Sequence, residues 1–428
     1  MASNIVPTSD LEPGGAAPSG FEGDRSAGSL GGVVRGYVDR LRGGDLGALP
    51  AVLGIVVLTL LFYALRPETF LTPLNITNLI IQAAPITLLA MGLVWILLLG
   101  DIDLSAGVVS GVCAAVSAQL LAQQGAPWWV AVLAALVTGA VIGLFTGTLV
   151  ALIGIPSFVV TLALFLAFQG VTLRVIGQGG TVPIRDETIR GLTNSYIPVG
   201  AGWALAAAVI AAYAVLQLNR WRTQRSKGLD SQPLIVVVGR IVLIAVIVLV
   251  LTAILNADRA LSRAVELQGI PYAIPVVVVL LLVLTFLLGR TTFGRHVYAV
   301  GGNSEAARRA GISVTRIRIM VFMLSSSMAA VSGLVAAARL SSVTPGSGGG
   351  NTLLYAVGAA VIGGTSLFGG RGRIRDAVLG GLVIAIIDNG LGLLQVSAYL
   401  NYIITGGVLL LAASVDALAR RRAAAGKS

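Results

Sequence analysis

From Leu46 onward, long apolar stretches alternate with short polar or basic segments. A helix needs about 20 apolar residues, within a range of ~17–25, to cross the hydrocarbon core of a bilayer. The pattern predicts spans near 46–65, 79–99, 106–121, 128–153, 158–173, 197–218, 234–255, 271–289, 317–338, 352–368, 377–395 and 399–415. Several are short or interrupted by glycine, and 106–121 is short enough to be re-entrant, so the expectation is about 10–12 transmembrane helices. The fold class is all-α: a polytopic helical bundle in a membrane, where helices satisfy their own backbone polar groups. Residues 1–45 have no apolar run and are rich in Gly, Ser, Pro and acids, which predicts a disordered cytoplasmic tail and no signal peptide. The membrane-embedded body is expected over 46–418, followed by a basic cytoplasmic tail at 419–428.

Composition agrees with the pattern. The 428 residues are 56% hydrophobic and 11% charged, against about 25% charged in soluble domains. The net charge of +11 is spread between apolar segments and forms no single patch, which argues against nucleic-acid binding. One cysteine, Cys113, excludes an intrachain disulfide and a cysteine metal centre. The one histidine, His296, sits in a basic loop and reads as solvated.

The charges set the orientation. With the N-terminus inside, 22 of the 29 basic residues fall on the cytoplasmic side. They cluster at Arg25–Arg42, Arg220–Arg240, Arg290–Arg318, Arg371–Arg375 and Arg420–Lys427. The positive-inside rule therefore predicts both termini in the cytoplasm.

Five segments carry more than hydropathy. Gly301-Gly302-Asn303-Ser304-Glu305-Ala306-Ala307-Arg308-Arg309-Ala310-Gly311 predicts a helix of about two turns near 303–311. Asn303 or Ser304 caps its start, Glu305 and the two arginines suit its dipole, and Gly311 ends it. A helix this short needs a partner surface; docking and plain linkage both stay open. Asp101, Asp103 and Ser105 close the second predicted span and either line a polar path or cap the next helix. Asp388 and Asn389 lie inside the eleventh predicted span, as pathway lining or as an interhelix bond. Ile362–Gly372 reads as a tight turn and lacks the ending of a Walker A loop, so no ATP site is recognisable in the chain. Gly139, Gly143 and Gly147, with Gly107 and Gly111, mark close helix packing. Trp95, Gln82 and Gln169 are further lining candidates, while Trp128 and Trp129 suit an interfacial belt.

Taken together, these segments resemble the permease subunits of bacterial ABC sugar importers of the ribose, arabinose and xylose group. The likeness runs from about residue 46 to 420 and rests on five motifs in order: Asp101–Gly107, Pro156–Leu162, Gly301–Ile312, Ile362–Leu367 and Asp388–Gly390. The extra apolar region at 197–255, with Gly180-Thr181-Val182, resembles the longer xylose-type permeases. One position departs: members of the group carry an acid before the leucine ahead of the Gly-Gly-Thr-Ser turn, and here it is Leu353 followed by Leu354.

The resemblance implies a non-enzymatic transport subunit in the bacterial inner membrane, carrying xylose or a related pentose. It implies a second permease copy, a separate ATPase that holds the ATP and Mg, and an extracytoplasmic sugar-binding protein. No cofactor or metal is expected on this chain. Glu305, Ala306, Ala307 and Gly311 match the coupling helix that fits a groove on the ATPase. The alternative is a secondary transporter driven alone by an ion gradient, for which Asp388 is the clear mid-membrane acid.

Overall fold

The computed structural model describes residues 47–177, 180–228, 232–260 and 266–425. The predicted N-terminal tail and the last three residues of the predicted C-terminal tail lie outside them.

Every predicted span overlaps a helix, though the one at 352–368 is helical only over Thr352–Gly363. The long ones are α1 (Leu49–Leu65), α2 (Pro73–Leu98), α3 (Ala106–Gln123), α4 (Trp128–Thr148, extended by a π-turn at Leu149–Ile153) and α5 (Ser157–Ile176). The two-residue strand β1 (Val182–Pro183), the short helix α6 (Glu187–Asn194) and strand β2 (Tyr196–Ile197) precede α7 (Val199–Ser226) and α8 (Leu234–Asn256). Strand β3 (Ile270–Pro271) leads into α9 (Ala273–Arg290), α10 (Thr292–Gly302) and α11 (Ser304–Arg309). Then come α12 (Val314–Leu340), β4 (Ser342–Val343), α13 (Thr352–Gly363), α14 (Ile374–Leu393) and α15 (Ala398–Ala425). Among the described residues, nine of these helices are long and apolar enough to cross a membrane. Strand β1 pairs antiparallel with β4, and β2 with β3.

Local chemistry explains the boundaries. Thr72 caps α2 by accepting from the Asn75 amide, with Pro73 at the first helical position. Prolines 127 and 156 immediately precede α4 and α5. Gly154, at φ 82°, ends the π-turn in a left-handed conformation that costs a glycine little.

The chain falls into two compact units. The smaller comprises, among described residues, 209–228 and 232–246. It holds the ends of α7 and α8 and their turn, where the Trp221 indole donates to the Gln232 carbonyl at 3.1 Å and Arg225 lies over the Trp221 ring.

The larger unit is built around α12, which packs on α2, α3 and α4. Small residues permit the approach. A Cβ at Gly139 would lie 2.6 Å from the Ser326 carbonyl oxygen, and one at Gly147 would lie 2.8 Å from the Ile319 Cα. The glycine stripe predicted in α4 is thus the face that α12 occupies. The Ser332 hydroxyl donates to the Pro85 carbonyl at 2.7 Å, joining α12 to α2 near the middle of both.

Two stretches break the helical pattern. The first is Gly100–Ser105. Asp101 pairs with Arg318 near the start of α12, while the Ser110 carbonyl abuts Gly333, fifteen residues further along. Residues 101–103 belong to no helix or turn, and the chain bends at Leu104 and Ser105, the latter at φ −89° and ψ −15°, before α3 begins. The second break is 344–351, where the Gly348 carbonyl would sit 2.7 Å from a Cβ on Gly107. The predicted span at 352–368 is therefore not one helix. Its helical part, α13, has 12 residues and rises about 18 Å, short of a ~30 Å hydrocarbon core. Gly364, at φ 118°, stops it before the turn that follows.

Candidate functional site

The predicted surface helix is α11. The Asn303 side chain accepts from the Ala306 amide at 2.9 Å. At the other end, Ile312 N–H bonds to the Ala307 carbonyl and Gly311 N–H to that of Arg308, with Gly311 at φ 83°. This is a Schellman ending, which needs the left-handed residue that glycine supplies. Glu305 pairs with Arg308 and Arg309 at 3.4 and 3.3 Å, all three exposed. Glu305, Ala306 and Gly311 face outward, whereas Ala307 is buried in the protein's own core.

The helix α10 fixes α11 to the ends of two spans. Gly301 lies so close to the Leu98 carbonyl that no side chain fits between them. Gly370 N–H donates to that same carbonyl at 2.9 Å. The Tyr298 hydroxyl donates to Gly372 O at 2.7 Å, and Trp95 of α2 stacks on Phe293 with centroids 5.6 Å apart. A Cβ at Gly369 would lie 2.8 Å from the Gly301 carbonyl and 3.0 Å from the Gly100 nitrogen. The glycine-rich turn is thus the third member of a backbone junction with α10 and the end of α2.

From this junction the non-helical stretch 100–105 runs beside the start of α5. Ile102 N–H donates to the Ser157 hydroxyl at 3.2 Å, and Leu104 N–H to the Thr161 hydroxyl at 3.0 Å. Ser157 and Thr161 are one helical turn apart, so their hydroxyls stand at the spacing of alternate strand amides. A non-helical chain in a membrane needs such partners, because lipid offers none. Asp103 Oδ1 accepts from both the amide and the hydroxyl of Ser105, at 2.8 and 2.7 Å, just before α3 begins. Asp101 pairs with Arg318 at 3.3 Å. Asp101, Asp103 and Ser105 are all buried.

Asp388 and Asn389 do not join that cluster. Asn389 exchanges two hydrogen bonds with Asn75, at 2.9 and 3.0 Å. Asp388 accepts from Gln82 at 2.5 Å. Both pairs tie α14 to α2. Leu353, at the departing position, is buried 3.2 Å from where a Gly107 Cβ would stand. Trp95 is fully buried, and Trp128 and Trp129 are exposed.

Sequence reading missed four partners: Ser157 and Thr161 for the non-helical stretch, Arg318 for Asp101, and Asn75 for Asn389. The first two had a signal, two hydroxyls four residues apart at a helix start beside a proline. The others are distant in sequence and had none.

Residues 75–413 match the family described as the permease component of branched-chain amino acid transport systems. The xylose transport system permease protein of Escherichia coli (strain K12) is 35% identical over 371 residues, covering 87% of this chain and 92% of that protein. The corresponding xylose permease of Haemophilus influenzae is 34% identical over 377 residues, covering 88% and 98%. The ribose import permease protein of Escherichia coli (strain K12) is 30% identical over 366 residues, covering 86% and 92%. No solved structure matches. With nine candidate spans and a family match over most of its length, the chain belongs to this family of transport-system permease components and is a multi-pass membrane protein.

Proposed function

We propose that the chain is the transmembrane permease of an ATP-binding-cassette importer for a monosaccharide, xylose or a related pentose. It forms the translocation path and performs no chemistry. Two copies make the path. An extracytoplasmic sugar-binding protein delivers the substrate, and a separate ATPase binds the ATP and Mg. Both termini lie in the cytoplasm of a bacterial inner-membrane assembly, so α11 faces the ATPase.

The observation that carries this reading is the seating of α11. It is capped at both ends, anchored inward by Ala307, and presents Glu305, Ala306 and Gly311 outward. Through Gly301 it bears directly on the end of α2 and on the Gly369–Gly370 turn. A push on α11 therefore reaches span ends without passing through a flexible loop. ATP and the loaded binding protein supply the differential affinity for two states that such a switch requires.

In this reading Asp101, Asp103 and Ser105 border the inner half of the path, where the backbone leaves the helix. Asp388 borders the outer half, and Asn389 holds α14 in register beside it. Substituting Glu305→Ala together with Gly311→Val tests the coupling role. Uptake falls to background while membrane insertion stays normal; unchanged uptake would remove α11 from the mechanism.

A further inference from the structure

We propose that Gln82, Arg339 and Asp388 form a water-accessible hydrogen-bonding site for the sugar in the outer half of the permease. The ligand class rests on the sugar reading above; the accessibility does not.

Three different spans contribute. Gln82 is the tenth residue of α2, Asp388 the fifteenth of α14, and Arg339 the next to last of α12. At 1.5 Å per residue, Asp388 stands about 21 Å from the inner end of its helix and Gln82 about 14 Å from the outer end of its own. Asp388 is the one acidic residue more than three positions from an end within the nine candidate spans.

A carboxylate at that depth is costly unless water or partners reach it. Its surroundings differ from those of the buried polar groups in the same bundle. Asp103 is sealed, whereas Asp388 and Gln82 are half-buried and Arg339 is exposed. Arg339 is near enough to Asp388 to interact electrostatically. Yet no ion pair within 4.0 Å joins the two among the described residues.

The chemistry fits a neutral polyol. A carboxylate accepts, a guanidinium donates and an amide does both, which matches hydroxyls that donate and accept in turn. The Asn75–Asn389 exchange, one residue away, fixes the rotation of α14 and keeps Asp388 at Gln82. A solute carrying net charge would meet one like charge in this site; a sugar meets none.

The test uses single-cysteine variants in a Cys113→Ala background, in cells that also express the ATPase and binding protein. Asp388→Cys, Arg339→Cys and, on the exposed apolar face of α9, Leu282→Cys are treated from outside with a membrane-impermeant thiol reagent. The proposal expects the variants at 388 and 339 to react about tenfold or more faster than the one at 282, as water-filled and lipid-facing positions differ. It further expects the transported pentose to slow that labelling, and Asp388→Asn to weaken half-saturation of uptake about tenfold, the scale of a lost charged hydrogen bond. Equal, slow labelling at all three positions would overturn the site even if pentose uptake is robust. Fast labelling that no pentose or hexose slows at either position, where the Cys113→Ala parent takes up pentose, would overturn its ligand while the importer reading stands. Fast labelling where that parent takes up no sugar would overturn both the ligand and the sugar reading.

Discussion

The helices α2 and α8 are both long and apolar, and they live in opposite surroundings. Of the most apolar stretch of α2, 83% is buried within the protein; of α8, 6% is. The more buried helix is the one that carries polar and small residues: Asn75, Gln82, Thr87, Pro85 and Gly92. The helix α8 is Leu, Ile, Val and Ala apart from Gly239 and Arg240 near its start and Thr252 and Asn256 near its end. In a membrane, apolar surface is what lipid solvates, so hydropathy alone does not draw a helix inward. Close backbone approach and interhelix hydrogen bonds do. In the proposed function the same division holds, since the candidate path and the proposed coupling junction both lie along α2.

The comparison is broken most directly at the packed interfaces. Replacing Gly333→Leu forces a side chain into the Ser110 carbonyl. Overpacking against backbone costs about 3 kcal/mol or more here, seen as a large drop in the thermal midpoint of the detergent-solubilised protein. Next is Thr161→Val, which keeps the shape but strands the Leu104 amide. Leaving that donor unpaired costs about 1–3 kcal/mol; Thr161→Ser, which keeps the acceptor, restores most of it in the same melt. Asn75→Leu removes both bonds to Asn389 and costs about 1–2 kcal/mol. The smallest effect belongs to α8: Val242→Leu, at an exposed apolar position, changes stability by less than about 0.5 kcal/mol. Equal effects at 75 and 242 would erase the distinction between the two helices.

The same contrast explains what was legible in the sequence. Twelve helices were readable because a spanning segment must be long and apolar. Their faces were not, because a helix that is apolar all round has no periodic stripe. The glycines of α4 did mark its partner face, since steric approach leaves a residue signature. The short helix at 304–309 was legible from its capping residues, and Gly311 from its terminating role. Its seating through Gly301 on Leu98 was not, since the partner lies some two hundred positions away. The twelve-residue length of α13 was obscured because Gly363 and Gly364 continue an apolar run. Only the left-handed Gly364 and the seating of Gly363 on the Asp376 backbone reveal where the helix stops. Gly100–Ser105 read as two acids near a helix end. Its non-helical course along α5 became visible only with Ser157 and Thr161 bonded to it.

The central claim is that this chain moves solute with energy borrowed through α11. Uptake of labelled pentose into proteoliposomes tests it most directly. The account predicts uptake only when the ATPase, the loaded sugar-binding protein and ATP are all present, and its loss with the Glu305→Ala, Gly311→Val double variant. Pentose uptake by vesicles holding this chain alone under an ion gradient would contradict it.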